Sequence, residues 1–124
     1  MVLFQITNKS TNGLLNCQNL NGDGLVITQF WGIGGAEKIP SIIYAGTQDN
    51  RLFSYDSGSW TYHNVAGDAG NPVVNYNHPD TLYFPSWGGG STNIRRSMNG
   101  GQGASTVFTP SEGYNFNIPI GINP

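Results

Sequence analysis

Three tryptophans and three arginines carry the chemistry that stands out in this chain. Trp31, Trp60 and Trp87 follow one another at intervals of 29 and 27 residues, each beside Gly, Ser or Thr. Arg51, Arg95 and Arg96 are its only arginines. A guanidinium donates hydrogen bonds in a fixed planar fork, and an aromatic ring offers a flat apolar plate. Together they suit a ligand whose hydroxyls surround patches of C–H, as those of a sugar do, provided fork and plate converge. The 15 Asn, 10 Ser and 9 Thr add directional donors and acceptors. The residues expected to contact such a ligand are Arg51, Tyr55, Trp60, Trp87, Asn93 and Arg95. The competing reading puts the tryptophans in the core and leaves the arginines solvated.

Other chemistries find less support. Asn19-Leu-Asn21-Gly-Asp23-Gly24 opens like a helix-flanked calcium loop, but its twelfth position is Phe30, where a bidentate carboxylate is required. His63 and His78 are 15 residues apart with no companion His or Cys, so neither is expected to hold zinc. His78, in Asn-His-Pro-Asp, reads as a turn residue, and His63, in Thr-Tyr-His-Asn, as a strand residue. The only glutamates, Glu37 and Glu112, sit in loops, and no nucleophile elbow or phosphate loop is present. Cys17, the single cysteine, has no activating cation beside it and reads as a small structural residue. Asn8-Lys9-Ser10 matches the glycosylation acceptor pattern, which matters only in a secreted eukaryotic chain. The expectation is a protein without catalysis, cofactor or metal.

The elements that must position the rings and arginines are strands. The chain has 124 residues, 18 of them Gly and 7 Pro, and only 10% are charged, against about 25% in an ordinary domain. That composition is wrong for a helical bundle and too aromatic for disorder. Strands are predicted at Val2–Thr7, Leu25–Trp31, Ser41–Ala45, Arg51–Tyr55, Trp60–Val65, Pro72–Tyr76, Thr81–Phe84, Ile94–Met98 and Thr106–Thr109. Turn residues separate them: Asn12-Gly13, Asn21 to Gly24, Asp49-Asn50, Asp56 to Gly58, Gly67 to Pro72 and Gly88 to Gly90. Ala36-Glu37-Lys38 is too short for a helix and runs into Pro40. A single all-β domain spanning residues 1–124 is expected.

Within it, segments echo one another. Leu3 to Ile6, then Gly13 and Asn19 to Gly24, is matched by Leu52 to Tyr55, then Gly58 and Asn64 to Ala69, with Gly13 and Gly58 45 residues apart. A further step of the same length reaches Gly103. A second echo joins Pro40-Ser-Ile-Ile-Tyr44 to Pro79-Asp-Thr-Leu-Tyr83. A period of about 45 suits a four-stranded propeller blade. Pro40 to Thr61 reads as strand, Asp49-Asn50 turn, strand, Ser57-Gly58 turn, strand. Pro72 to Trp87, then Asn93 to Ser97, reads as the next unit. These segments resemble the blades of small lectin propellers of the fucose-binding and tectonin-like kinds, over roughly residues 40–109.

The resemblance implies propeller-like blades. A chain of 124 residues holds fewer than three such units, whereas a ring needs about four to eight, so closure is expected through a homo-oligomer. A β-sandwich and a β-trefoil are the alternatives. The function expected is multivalent carbohydrate binding, with glycans or glycoconjugates as partners. A structural or receptor-binding β-module, and a membrane-lipid-binding or cytolytic β-protein, are the rivals. Five Lys and Arg against seven Asp and Glu leave no basic stripe for nucleic acid. No apolar run is long enough for a membrane-spanning helix. The N-terminus shows no signal-peptide pattern, so the chain is expected either in the cytoplasm, released by a non-classical route, or already processed.

Overall fold

The computed structural model describes residues 4–9, 15–19, 28–65, 67–111 and 118–123. Every regular element among them is a strand, and every pairing is antiparallel. β1 (Phe4–Lys9) and β2 (Leu15–Asn19) form a two-stranded sheet with a bulge between Ile6 and Asn8. Cys17 lies opposite Ile6 there, and Asn8 opposite Asn16. The calcium-like segment Asn21 to Gly24 and the Asn12-Gly13 turn fall outside the described residues.

Two four-layered meanders follow. The first runs through neighbouring strands in chain order: β3 (Phe30–Gly35), β4 (Ile43–Thr47), β5 (Leu52–Asp56) and β6 (Ser59–His63). The second has a broken first layer, β7 (Asp68–Ala69) and β8 (Val73–Val74), both pairing with β9 (Leu82–Gly88). It continues through β10 (Ser91–Ser97) to β11 (Ser105–Phe108). Two hairpins have two-residue loops with positive φ at both central positions, Ser57-Gly58 (50° and 91°) and Gly89-Gly90 (67° and 84°). Such primed turns match the right-handed twist of the strands they join.

The Pro40 and Pro79 echoes occupy the same place in the two meanders. Each proline follows the first residue of a turn, closed by Ile42 N donating to Ile39 O at 3.0 Å and by Thr81 N donating to His78 O at 2.7 Å. Pro suits that position because its φ is preset for it. The flanking strands keep the same register. Ile43 and Tyr44 lie opposite Gly35 and Gly34, as Leu82 and Tyr83 lie opposite Val74 and Val73. Of the 45-residue echo, the described parts are Phe4–Ile6 and Asn19 on one side and Leu52–Tyr55, Gly58, Asn64, Val65 and Gly67–Ala69 on the other.

Alternation gives each sheet two faces. In the first sheet, Tyr44, Leu52, Ser54 and His63 share the face turned to the second sheet. The second sheet answers with Ala69, Val74, Leu82 and Phe84, and these residues with Val65 make the core. Gly34 and Gly46 admit backbone of the β7–β8 segment at short range, and Gly32 admits the Asn71 side chain. A Cβ on Gly46 would lie 1.8 Å from the Gly70 carbonyl oxygen, and one on Gly34 2.1 Å from that of Pro72. These glycines explain why β3 runs through Gly32-Ile33-Gly34-Gly35, beyond the predicted end at Trp31. β2 and β7 were not predicted either. β7 is two residues long, and β2 is rich in Asn and Gln, which strands disfavour or treat neutrally.

Candidate functional site

The six expected contact residues fall in separate places. Tyr55 and Trp60 are cross-strand neighbours on the outer face of the first sheet, with ring centroids 5.1 Å apart. Arg51 stands in the β4–β5 turn at φ 66°, its carbonyl accepting from Thr47 N at 2.9 Å and Thr47 Oγ1 at 2.8 Å. Asn93 and Arg95 lie opposite Ser86 and Phe84, on the inner face of the second sheet. Arg95 Nη2 donates to Ala104 O at 2.7 Å, and Asn93 Oδ1 accepts from Thr109 Oγ1 at 2.7 Å. Trp87 lies opposite Thr92 on the other face. Trp60 and Tyr55 are therefore brought together, and so are Asn93 and Arg95, but Trp87 and Arg95 are not.

An arginine fork and an aromatic plate do converge elsewhere. Arg96 is the direct cross-strand partner of Tyr83, on the outer face of the second sheet. The pair borders an open cleft of about 530 Å³, whose other walls include Asn75, Asn77, His78 and Asp80, with Met98 at one side. That volume falls in the range of small-molecule sites. Among the described residues, no hydrogen bond or ion pair engages the Arg96 side chain, and its Nε is buried without a partner. A buried donor left unpaired is costly, so an oxygen-rich ligand or water that reorients this guanidinium gains what the protein does not supply.

The loop opposite Arg96 is held by its own backbone. Asn75 Oδ1 accepts from Asn77 N at 2.9 Å and His78 N at 3.1 Å, an Asx turn. Asn75 N donates to Thr81 O at 2.8 Å, and Gly100 N to Asp80 O at 2.9 Å. Lys38 reaches from the first sheet's β3–β4 turn to Asn77 Oδ1 at 3.4 Å and lies over the Tyr76 ring, 5.2 Å from its centroid. A loop tied at so many points presents its side chains without a large ordering cost on binding. Asp80 adds an acceptor to the same lining as the Arg96 donors, so the cleft can serve both ends of a hydroxyl. The same carboxylate acts on Tyr44: burial pushes that phenol up, and the charges of Asp80 and Asp56 add to the shift.

Tyr83, Arg96, His78 and Asp80 were not among the expected contacts. The predicted strand Thr81–Phe84 contained Tyr83, and the observed strand runs Leu82–Gly88. Only the register shows that Arg96, rather than Arg95, shares its face. His63, expected as a strand residue, ends β6 at 3% exposure, its Nε2 2.8 Å from Ser54 Oγ. Burial holds its pKa below the ordinary histidine value. The Gly101 backbone packs on the imidazole ring, closing the pair off from ligands. No group of three or more His, Cys, Asp or Glu side chains is placed to hold a metal among the described residues. Nor is any helix among them long and apolar enough to cross a membrane.

No protein-family model, curated protein or solved structure matches the chain.

Proposed function

We propose that the chain is a non-catalytic carbohydrate-binding protein, and that the cleft bordered by Tyr83 and Arg96 takes the sugar. The observation that carries this reading is the direct cross-strand pairing of Tyr83 with Arg96 beside a polar cleft, with no partner for Arg96 Nε among the described residues. Tyr83 offers its ring to sugar C–H groups, Arg96 donates to ring and hydroxyl oxygens, and Asp80 accepts from hydroxyls. The asparagines and His78 complete a set that both donates and accepts. Each meander is read as one blade-like unit, and copies of the chain are read as completing the array. Association would then repeat a weak site, and avidity would raise its effective affinity.

The test is a glycan array, followed by titration of the strongest hit. Binding is expected, with Arg96→Gln and Tyr83→Ala each lowering affinity about tenfold or more, as loss of a charged hydrogen bond or of a stacking face does. Trp87→Ala should stay within about twofold. No binding to any glycan at high protein concentration overturns the reading.

A further inference from the structure

The outer face of the first sheet is an aromatic surface separate from the cleft at Tyr83 and Arg96. Phe30, Phe53, Tyr55, Trp60 and Tyr62 meet there edge to edge and face to face. Phe30 stacks on Trp60 at 5.1 Å and 23°, and Phe53 makes T-shaped contacts with Trp60 at 6.4 Å and Tyr62 at 5.6 Å. The face is nonetheless open: Phe30 is 45% exposed, Trp60 50%, Tyr62 51% and Ile33 64%. No charged residue interrupts it, since the residues alternating on this side of β3, β4, β5 and β6 are Phe, Ile, Gly, Ala, Thr, Tyr and Trp.

The second sheet shows what such a face is for. Leu82 and Phe84, which hold the register positions of Ile43 and Ala45, are 0% exposed because the first sheet covers them. On the equivalent side of the first sheet no sheet among the described residues gives that cover: Ala45 is buried, but Ile43 is 37% exposed. We infer that this aromatic face is a self-association surface, covered in solution by a sheet of a second copy of this chain.

Area and charge both favour that occupant. Rings of roughly 150–250 Å² each, half exposed, give Phe30, Trp60 and Tyr62 roughly 300 Å² of apolar surface, to which the exposed Ile33 adds. A standard interface buries about 800 Å² per partner, a little over half of it apolar. Sheets also pack face to face readily, at about 10 Å. The uncharged face imposes no like-charge repulsion when one copy meets another. A lipid headgroup surface is disfavoured, because an interfacial protein carries Lys and Arg around its aromatics and this chain has a net charge of −2. A sugar is disfavoured as well. The hollow on this face, about 360 Å³, is lined by Thr28, Phe30, Phe53 and Trp60, with a single hydroxyl among them.

The test is the solution mass of the full chain by light scattering and sedimentation, from about 1 to 200 μM. At the upper end the expected particle holds two or more 13.4 kDa chains. Trp60→Glu and, separately, Tyr62→Lys should shift it to monomer with an unchanged far-UV spectrum, while Trp87→Glu should leave the association intact. Two substitutions of opposite charge guard against one simply unfolding the sheet. A wild-type monomer at every concentration overturns the inference. So does association that survives both folded variants, and so does loss of sugar or vesicle binding in Trp60→Glu without any change in mass. The outcome is separable from the sugar reading: association without glycan binding removes only the latter, and glycan binding by a monomer removes only the former.

Discussion

Burial keeps His63 from taking up a proton where an exposed histidine would. Its folded pKa lies below the unfolded value of about 6.5. The stability it contributes is therefore fully present above that pH and is lost as pH falls toward the folded value, because the unfolded chain then binds the extra proton. Thermal unfolding followed between pH 7.5 and 5.5 should show a falling Tm. His63→Gln should flatten that slope, whatever it does to the Tm at pH 7.5. A slope unchanged by the substitution would assign the pH effect to other groups. The arginines show how far residue chemistry was legible. The sequence shows that guanidinium and aromatic groups are present, but Arg95 and Arg96 lie opposite Phe84 and Tyr83, on opposite faces of the sheet. Composition cannot say which one meets a ring, because a shift of one residue in register exchanges the faces. Arg95 is also engaged by Ala104 O, a contact between residues nine apart that no local pattern announces.

At the scale of elements, two kinds of glycine do different work. Gly46 has a neighbour problem: the Gly70 carbonyl oxygen occupies the place where its Cβ would stand. Gly46→Ala should destabilise by about 3 kcal/mol in urea unfolding, because backbone cannot yield as a flexible side chain can. Gly89 has a conformational need instead. Nothing lies near its missing Cβ, but its φ is 67°. Gly89→Ala should cost about 1 kcal/mol and Gly89→Asn much less, since Asn tolerates the left-handed region. Equal costs for Ala and Asn would contradict the turn assignment. The hairpin at Gly89-Gly90 could be read from the sequence because its turn chemistry is local. The glycines of β3 could not, because their reason is the chain that lies on them, some 40 residues away in sequence. Strand propensity alone marks such a segment as a poor strand.

For the molecule as a whole, the core is made between the sheets. Leu52 of the first sheet and Phe84 of the second are both fully buried in one cluster. Leu52→Ala should lower stability by about 3 kcal/mol, through lost transfer energy and the cavity left behind. The unfolding transition should stay single, since neither sheet buries its inner face without the other. Two separate transitions would show that the sheets are stable on their own. The all-β architecture was legible from short aromatic strands punctuated by Gly, Asn and Asp. The turns at Pro40 and Pro79, which lead into β4 and β9, were legible because a local motif records turn geometry. The partner faces were not, because which side of a sheet is covered depends on packing.

The cleft at Tyr83 and Arg96 carries the functional reading, and amide chemical-shift mapping tests it most directly. With the best array glycan added to the labelled protein, shifts should concentrate at residues 75–81, Tyr83 and Arg96, and should vanish in Arg96→Gln. Shifts that instead concentrate at Phe30, Phe53 and Trp60, or no shifts at saturating glycan, would contradict it.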